Sequence, residues 1–333
     1  MGNVDKAALI KAGKIPDVYL LEQIDYMDEI ELVWGRRWGA QSEIGKLRTC
    51  MVSRPTENDV NEDSEKDPVH YLFHGTPSLK VLQKQHDDFV SVLKGEGVEV
   101  IYLDPPVPCI GPYGQKVRTW GPASAFVING GAIIPRYGWA PWRRGREVNL
   151  AKRLMQIGCP ILHTTHGKGI LELGGNGQWL DPRHLVIGIG ATTNLEGVDQ
   201  IRGLLARAGV EDIHLAYFND TIHLDVCFGL ADAWVGVVDK RKLHFNTMAY
   251  LKKKGIELIE ADPEEADNFA CNIIALEPGK VVIPAGNPKT IKALKERGVT
   301  VIDLDFSDFI KMEGGPHCCV SSLVRDPGPY LPR

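Results

Sequence analysis

The sequence predicts an α/β fold in which five repeated units close into a five-bladed propeller. One pattern recurs five times along the 333 residues: an amphipathic helix, a glycine where the helix stops, and a strand rich in β-branched residues. The stop glycines are Gly97, Gly158, Gly209, Gly255 and Gly298, and their spacing is too regular for chance. A unit of this size cannot bury both faces of its sheet, so we expect the five units to surround a common axis with their helices outside.

Periodicity and turn residues predict the individual elements. We expect helices at 89–94, 150–154, 201–208, 250–254 and 291–297, each followed by a strand that begins just after the stop glycine. Further strands are expected at 49–52, 125–128, 185–188, 234–238 and 281–283. The acidic segment 57–68 is interpreted as a surface loop, residues 1–40 as an N-terminal leader, and residues 41–333 as a single domain that contains all five units.

Charge and hydropathy argue against two classes of partner. The formal net charge is −5 and the basic residues occur in short, scattered groups, so we expect no nucleic-acid partner. Arg143, Arg144 and Arg146 are accordingly interpreted as surface charges. The N-terminus has no apolar signal core and no apolar run is long enough to span a bilayer, so we expect no membrane association.

The cysteines indicate a reducing environment. There are 7, an odd number, with neither the paired spacing of a disulfide scaffold nor a Cys-x-x-Cys zinc pattern. We therefore expect no metal, no other cofactor and a cytoplasmic location. Assembly into a homo-oligomer stays open at this point.

The stretch with the clearest chemical content lies near the C-terminus. Two glycines and a proline at 314–316 predict a tight turn that presents the next side chains, His317 and Cys318. A cysteine pair is most often structural, but Cys318 and Cys319 are adjacent and have the wrong geometry for an ordinary disulfide with each other. We therefore expect a nucleophilic thiol at this turn.

A cysteine nucleophile needs a histidine and a carboxylate from elsewhere in the chain, because the thiolate is the attacking species. Glu172, His223 and Asp225 are the candidates. His223 alone would more often be structural, but Asp225 two residues on would lie on the same face of a strand. In a closed ring, these positions and Cys318 could share the central channel.

Three motifs together resemble the catalytic motifs of the guanidino-modifying pentein enzymes, which include arginine deiminases, dimethylarginine hydrolases and amidinotransferases. They are Gly-Gly-Pro-His-Cys at 314–318, His-Leu-Asp at 223–225 and Leu-Glu-Leu-Gly-Gly-Asn at 171–176. The segment 42–48 is similar to the family's first blade, and 192–197 is similar to a segment of the amidinotransferases. The resemblance implies the pentein fold, a propeller of five ββαβ-type units around a central active-site channel.

The resemblance also implies roles for individual residues. Cys318 would attack the central carbon of a small-molecule substrate and form a covalent intermediate. His223 would protonate the leaving group and then activate water. Glu172 would hold positive charge on the substrate or on the histidine, and Asp225 would bind a substrate nitrogen.

Three further residues are assigned to substrate binding. Asn176 ends the motif at 171–176, and Trp120 begins a segment that could line the site. Arg325 is a candidate partner for a substrate carboxylate.

Two departures from the family pattern affect the expected substrate. Leu173 separates Glu172 from the Gly-Gly pair, whereas the family places the acid directly before it. The family's second guanidinium-binding aspartate has no counterpart at 120–125. One carboxylate beside an apolar, tryptophan-bearing segment favours a smaller and less charged ring over arginine, such as a 2-nitroimidazole that would lose nitrite.

Other functions stay open alongside this hypothesis. An arginine deiminase, a dimethylarginine hydrolase or an amidinotransferase would use the same cysteine, and exclusion of water would separate transfer from hydrolysis. A non-catalytic pentein that binds a partner is a function of another class, but it has no need for the three motifs. A zinc site at 317–319 is weaker, because adjacent ligands suit tetrahedral zinc poorly.

Overall fold

Five small sheets form the framework of the protein. The computed structural model describes residues 24–60, 72–121, 125–138 and 140–332. Each sheet has three strands, and the strand orders are β15-β1-β2, β3-β4-β5, β6-β7-β8, β9-β10-β11 and β12-β13-β14. The strands are β1 Leu47–Val52, β2 Glu99–Tyr102, β3 Phe126–Ile128, β4 Gly131–Ile134, β5 Ile161–Thr164, β6 Gly177–Asp181, β7 His184–Ile189, β8 Asp212–Tyr217, β9 Phe228–Asp232, β10 Val235–Val238, β11 Glu257–Glu260, β12 Ile274–Glu277, β13 Lys280–Pro284, β14 Thr300–Leu304 and β15 Ser321–Arg325.

All five sheets share one topology. The first strand pairs antiparallel with the central strand, and the central strand pairs parallel with the third. A parallel pair needs a crossover connection, and a helix supplies it in every unit. In the first sheet the antiparallel partner of β1 is β15, so the last strand of the chain completes the first blade.

The helices confirm the predicted repeat. They are α1 Tyr26–Trp34, α2 Leu79–Gly95, α3 Arg146–Gln156, α4 Leu173–Asn176, α5 Leu195–Arg207, α6 Phe245–Lys253, α7 Pro263–Asp267, α8 Pro288–Glu296 and α9 Ser307–Ile310. The crossovers are α2, α3, α5, α6 and α8, and each ends beside a stop glycine. All five stop glycines have positive φ, between 79° and 92°, a conformation that glycine adopts at no steric cost.

Buried apolar side chains join the units into a ring. Leu47 of β1 and Ile274 of β12 belong to one cluster, which connects the first and last blades. Phe126 of β3 stacks on Trp179 of β6 with ring centroids 5.3 Å apart, which connects the second and third. The loops that lead into the first strand of each blade therefore converge on the channel.

The region assigned to the leader is described only in part. Residues 1–23 lie outside the described residues. Within 24–40, Ile30 and Trp38 are buried in a cluster with residues of the second blade, and the Tyr26 hydroxyl donates to the Gly130 carbonyl over 2.9 Å. The boundary between a leader and a domain at residue 40 stays a prediction.

No helix among the described residues is long and apolar enough to cross a membrane.

Candidate active site

A small cavity in the channel collects side chains from the loops that precede the blades. Cys318, Asp225, His223 and Glu172 all border it, and so does Trp120. Cys318 precedes β15, His223 and Asp225 precede β9, Glu172 precedes β6, and Trp120 precedes β3. Because each residue occupies a similar position in its own unit, closure of the ring brings residues nearly 200 positions apart to one site.

Cys318 lies in a 3₁₀ turn, His317–Cys319. Its Sγ donates to Asp225 Oδ2 at 3.5 Å and accepts from Asn272 Nδ2 at 3.2 Å. Burial raises the pKa of the Cys318 thiol well above its ordinary value and the charge of Asp225 raises it further, while the Gly315 amide and Asn272 partly oppose the shift. The resting cysteine is therefore a thiol that must lose its proton before it can attack.

The glycine pair at 314–315 has a different purpose from the predicted one. A Cβ at Gly314 would overlap the Trp120 ring, and a Cβ at Gly315 would overlap the Asn272 side chain. Neither glycine has positive φ. The glycine pair therefore allows the turn of Cys318 to pack closely against Trp120 and Asn272. It does not form a sharp reversal that lifts the thiol out of the core.

Glu172 and His223 form a buried pair. His223 Nε2 lies 3.0 Å from Glu172 Oε2, and the same oxygen lies 2.7 Å from Arg143 Nη1. Burial opposes ionisation of Glu172, but Arg143 and His223 more than offset it, so the pKa of the carboxyl falls below its usual value. Glu172 is thus an anion that orients the imidazole through Nε2.

The predicted strand at 223–225 is wrong. Leu224–Val226 forms a 3₁₀ turn, with His223 at its N-cap. His223 and Asp225 nevertheless border the same cavity: His223 has an extended backbone, and the 3₁₀ turn begins at Leu224. Glu172 likewise precedes the short helix α4 and does not lie on a strand, so the one-residue offset at Leu173 does not reverse its direction.

Asp225 has one occupied and one unoccupied carboxylate oxygen. Oδ2 accepts from His317 Nδ1 at 2.9 Å, and His317 Nε2 in turn lies 3.3 Å from Glu43 Oε2. Oδ1 is buried and has no hydrogen-bond partner among the described residues. A buried acceptor without a partner costs free energy, on the order of 1–3 kcal/mol, which a bound N–H group would recover.

Arginine side chains form another part of the lining, which corrects the prediction of surface charges. Arg143 and Arg146 are 8% and 9% exposed and border the cavity together with Arg118. The Arg118 guanidinium lies 4.2 Å from the Trp142 ring centroid and 5.7 Å from that of Trp120. Arg144 is partly buried and does not line the cavity.

Each of these arginines makes it less favourable for the others to stay charged. Burial lowers the pKa of Arg118, Asp59 partly compensates, and the charges of Arg143 and Arg146 lower it further. Three guanidinium groups that share a confined site repel one another, and aromatic faces offset only part of this repulsion. An anion in the cavity would relieve it.

A carboxylate in the segment interpreted as surface is buried next to Trp120. Asp59 is 1% exposed, and its Oδ1 accepts from the Thr119 and Trp120 amides at 2.6 and 3.1 Å. Asp59 therefore fixes the backbone behind Trp120 and does not border the cavity. Residues 61–71, which include most of the predicted loop at 57–68, lie outside the described residues, as do 122–124 of the Trp120 segment.

Two of the predicted binding residues do not reach the cavity. Asn176 is fully buried, donates to Thr192 and Thr193, and accepts from the Leu224 amide at 3.0 Å. It ties α4 to the His223 turn and so supports the site from behind. Arg325 donates to the Gly45 carbonyl at 2.7 Å and borders a different cavity.

Several residues at or behind the site were missed from the sequence. Arg118, Trp142 and Glu313 border the cavity, and Asn272 contacts the Cys318 sulfur. Glu43 lies behind the site and contacts His317, which in turn contacts Asp225. Only Glu43, in the segment 42–48, stood in a stretch already connected with the family. No group of three or more His, Cys, Asp or Glu within the described ranges is arranged to hold a metal ion.

Comparisons with known proteins show what this chain is similar to. The arginine deiminase family model matches residues 233–325. A dimethylarginine dimethylaminohydrolase from Pseudomonas aeruginosa, solved with citrulline, covers 83% of this chain and 99% of its own at 22% identity, with a TM-score of 0.67. An amidinotransferase of the saxitoxin pathway from Microseira wollei covers 89% and 99% at 17% identity, with a TM-score of 0.68. The chain shares the fold of these two solved structures, so the predicted pentein fold is confirmed.

Two relatives with named activities are similar to this chain in sequence. The 2-nitroimidazole nitrohydrolase of Mycobacterium sp. (strain JS330) is 28% identical over 334 aligned positions, which cover 91% of this chain and 86% of the relative. The arginine deiminase of Listeria monocytogenes is 46% identical, but only over 66 residues and 19% of this chain. The first relative is named a nitrohydrolase and the second a deiminase, so the chain is similar in sequence to enzymes of these two kinds.

Proposed function

We propose that this protein is a cysteine-dependent hydrolase of a small amidine-like ring that carries an anionic leaving group, with 2-nitroimidazole as the model substrate. The arrangement of charges in the cavity carries this proposal. One free carboxylate oxygen, Asp225 Oδ1, can accept a ring N–H, and three arginines, Arg118, Arg143 and Arg146, border the same cavity. Buried arginines repel a cationic substrate and stabilise an anion that forms during the reaction.

The first chemical step would use Cys318 and His223. His223 takes the proton of the thiol, and Sγ attacks the ring carbon between the two nitrogens. The new S–C bond forms as the C–N bond to the nitro group breaks, and nitrite leaves with the electron pair of that bond. Arg118, Arg143 and Arg146 border the same cavity and would stabilise the departing charge.

The second step would release the product. His223 returns its first proton to solvent, then removes a proton from water, and the hydroxide attacks the same carbon. The S–C bond breaks with its electrons on sulfur, and the ring leaves as the 2-hydroxy compound or its keto tautomer. The sum is one ring and one water converted to the hydroxylated ring, nitrite and a proton, with no change of oxidation state that needs an external oxidant.

The walls suit a flat ring. Trp120 and Trp142 border the cavity and are 5% and 3% exposed. Indole rings in a confined site exclude water and favour stacking with a planar heterocycle. A relative with a similar sequence over nearly its whole length is named for this reaction, which supports the choice of substrate.

The test is a direct comparison of substrates. Purified protein is incubated separately with 2-nitroimidazole, arginine and methylated arginines, and released nitrite, ammonia, amine and citrulline are measured. We expect nitrite from 2-nitroimidazole and none from the Cys318→Ser variant. Rapid formation of citrulline without any nitrite would overturn the proposal.

Glu313 favours a second candidate function, hydrolysis or amidino transfer from a guanidine. This carboxylate borders the cavity from the loop before Cys318, so it could hold the far side of a guanidinium together with Asp225. Against this, Glu313 already contacts His74. The same assay, with glycine or lysine added as an amine acceptor, separates these reactions from nitrite release.

Location and assembly are tested separately. All seven cysteines are free, which supports our proposal of a reducing compartment, the cytoplasm, and cell fractionation would check it. A homo-oligomer stays a prediction that light scattering of the purified protein would test.

A further inference from the structure

Side chains of alternating charge form a row that begins beside the Cys318 sulfur and ends at Arg325. Asp225 contacts His317 over 2.9 Å, and His317 contacts Glu43 over 3.3 Å. The side chains of His317 and Glu43 are only 12% and 14% exposed. Arg325, on β15, is close enough for Glu43 to favour its charged form. The order of charges is therefore Arg325, Glu43, His317, Asp225 and then the sulfur of Cys318.

His317 and Glu43 also border a second cavity. Ser42, Ser321 and Ser322 line it on the polar side, and Gly174 borders both this cavity and the catalytic one. His317 therefore stands between the two cavities, with Nδ1 toward Asp225 and Nε2 toward Glu43. The second cavity gives Glu43 a route to solvent that does not pass through the substrate site.

The hydrogen bonds define the charge of His317. A neutral imidazole has one N–H and could donate to only one carboxylate, whereas an imidazolium donates to both. Burial alone would lower the pKa of His317, but the hydrogen bonds to Asp225 and Glu43 raise it to about 10. His317 is therefore a cation at neutral pH.

We infer that Glu43 is a positioning residue that acts through His317: it keeps this imidazole charged, and the positive charge offsets Asp225 so that a thiolate can form at Cys318. The inference concerns the reactivity of Cys318 and extends the proposed function. Asp225 has to remain an acceptor for the substrate, but its negative charge opposes the thiolate beside it. The positive charge of His317 beside Asp225 meets both requirements: Asp225 remains an acceptor, and its negative charge opposes the thiolate less.

The other groups around this row do not have the role that we infer for Glu43 and His317. Cys319 shares the turn of Cys318. Asn272 makes only neutral hydrogen bonds: it donates to Sγ and to the Asp225 carbonyl, and it accepts from the His317 amide. Glu172, His223, Glu313 and the three arginines border the catalytic cavity together with Cys318. Within the described residues, only His317 contacts both Asp225 and a second carboxylate.

The test measures the reactivity of Cys318 without any substrate. Wild type and Glu43→Gln are treated with neutral iodoacetamide between pH 6 and pH 9, and alkylation of the Cys318 peptide is followed by mass spectrometry. At pH 6, where His317 is charged in both proteins, we expect the variant to react at least as fast as wild type. At pH 9, where only wild type keeps the imidazolium, we expect the variant to react about tenfold more slowly.

Two further variants make the result specific. His317→Asn should be slower than wild type at every pH, because it has no charge to lose. Glu277→Gln removes an exposed carboxylate that pairs with Lys46, and it should leave the whole profile unchanged. If the alkylation rate of wild type divided by that of Glu43→Gln is constant with pH, Glu43 only supports the fold. That result would overturn the inference.

Nitrite release separates this inference from the proposed function. If alkylation changes as expected while no variant and not even wild type releases nitrite, the role of Glu43 stands and the choice of substrate fails. If nitrite is released but the alkylation ratio is constant with pH, the substrate stands and the role of Glu43 fails.

Discussion

Cys318 and Cys319 are neighbours in one 3₁₀ turn, yet their surroundings differ. The Cys318 sulfur borders the cavity and contacts Asp225 and Asn272. Cys319 is 3% exposed and packs in an apolar cluster, where burial raises the pKa of its thiol. A thiol in such surroundings is inert, so only one of the two cysteines is suited to attack a substrate.

We predict that Cys318→Ser lowers turnover by several orders of magnitude, whereas Cys319→Ala stays within about tenfold of wild type. Loss of the nucleophile removes the covalent step, and loss of a buried sulfur leaves only a small cavity. Steady-state nitrite release by both variants measures the difference. The opposite ranking would contradict the assignment of the nucleophile.

Helix α4, with only four residues, shows how one short element holds His223, the proposed base. The Gly175 backbone lies directly against the His223 imidazole: a Cβ there would lie 2.6 Å from Cγ and 2.7 Å from Nδ1. Asn176 at the end of the helix bonds to the Leu224 amide of the same turn. The helix therefore sets the position of His223 by contact and by hydrogen bonding together.

We predict that Gly175→Ala lowers turnover by about a hundredfold, because the methyl group displaces the imidazole from Glu172 and from the reacting atoms. Nitrite release and thermal melting of the variant test this expectation. Gly203→Ala is the control: the nearest atom to a Cβ there is Arg207 Nη1 at 3.6 Å, and alanine favours a helix. Full activity of Gly175→Ala would show that His223 does not depend on this contact.

The ring as a whole depends on contacts between residues far apart in the chain. Glu43 precedes the first strand and His317 precedes the last, and Asp225 lies between them in sequence. His317 is more basic in the folded protein than in the unfolded chain. Its protonation therefore stabilises the fold fully below about pH 6.5, and this contribution is lost as the pH rises toward about 10.

We predict that wild type melts at a higher temperature than Glu43→Gln at pH 7 and that this gap narrows between pH 7 and pH 10. The contributions of the other titrating groups are the same in both proteins, so they cancel in the difference between the two melting temperatures. Calorimetry of the two proteins in matched buffers measures the gap. A gap that is constant or grows with pH would show that the Glu43–His317 contact does not contribute through the charge of the imidazole.

Local patterns were sufficient to predict the five crossover units, but one strand of each blade was not predicted, namely β15, β4, β6, β9 and β12. Helix amphipathicity, a glycine in the left-handed conformation and a β-branched strand are properties of short segments, and they appear in the sequence wherever the structure has a crossover unit. The three motifs likewise indicated Glu172, His223, Asp225 and Cys318, which the cavity brings together. The predicted strand at 223–225 was wrong because the extended backbone ends at His223 and a 3₁₀ turn begins at the next residue.

Closure of the ring decided the remaining features of the site. Arg118 and Arg143 are scattered basic residues in the sequence, and only packing against Trp142 and Tyr137 shows that they are buried around the cavity. Glu43 contacts His317 across 274 positions, and Asp59 bonds to the backbone at 119–120. Such contacts depend on the angle at which blades meet, so the sequence determined the repeat and the reactive groups, and only the tertiary structure determined which charges surround them.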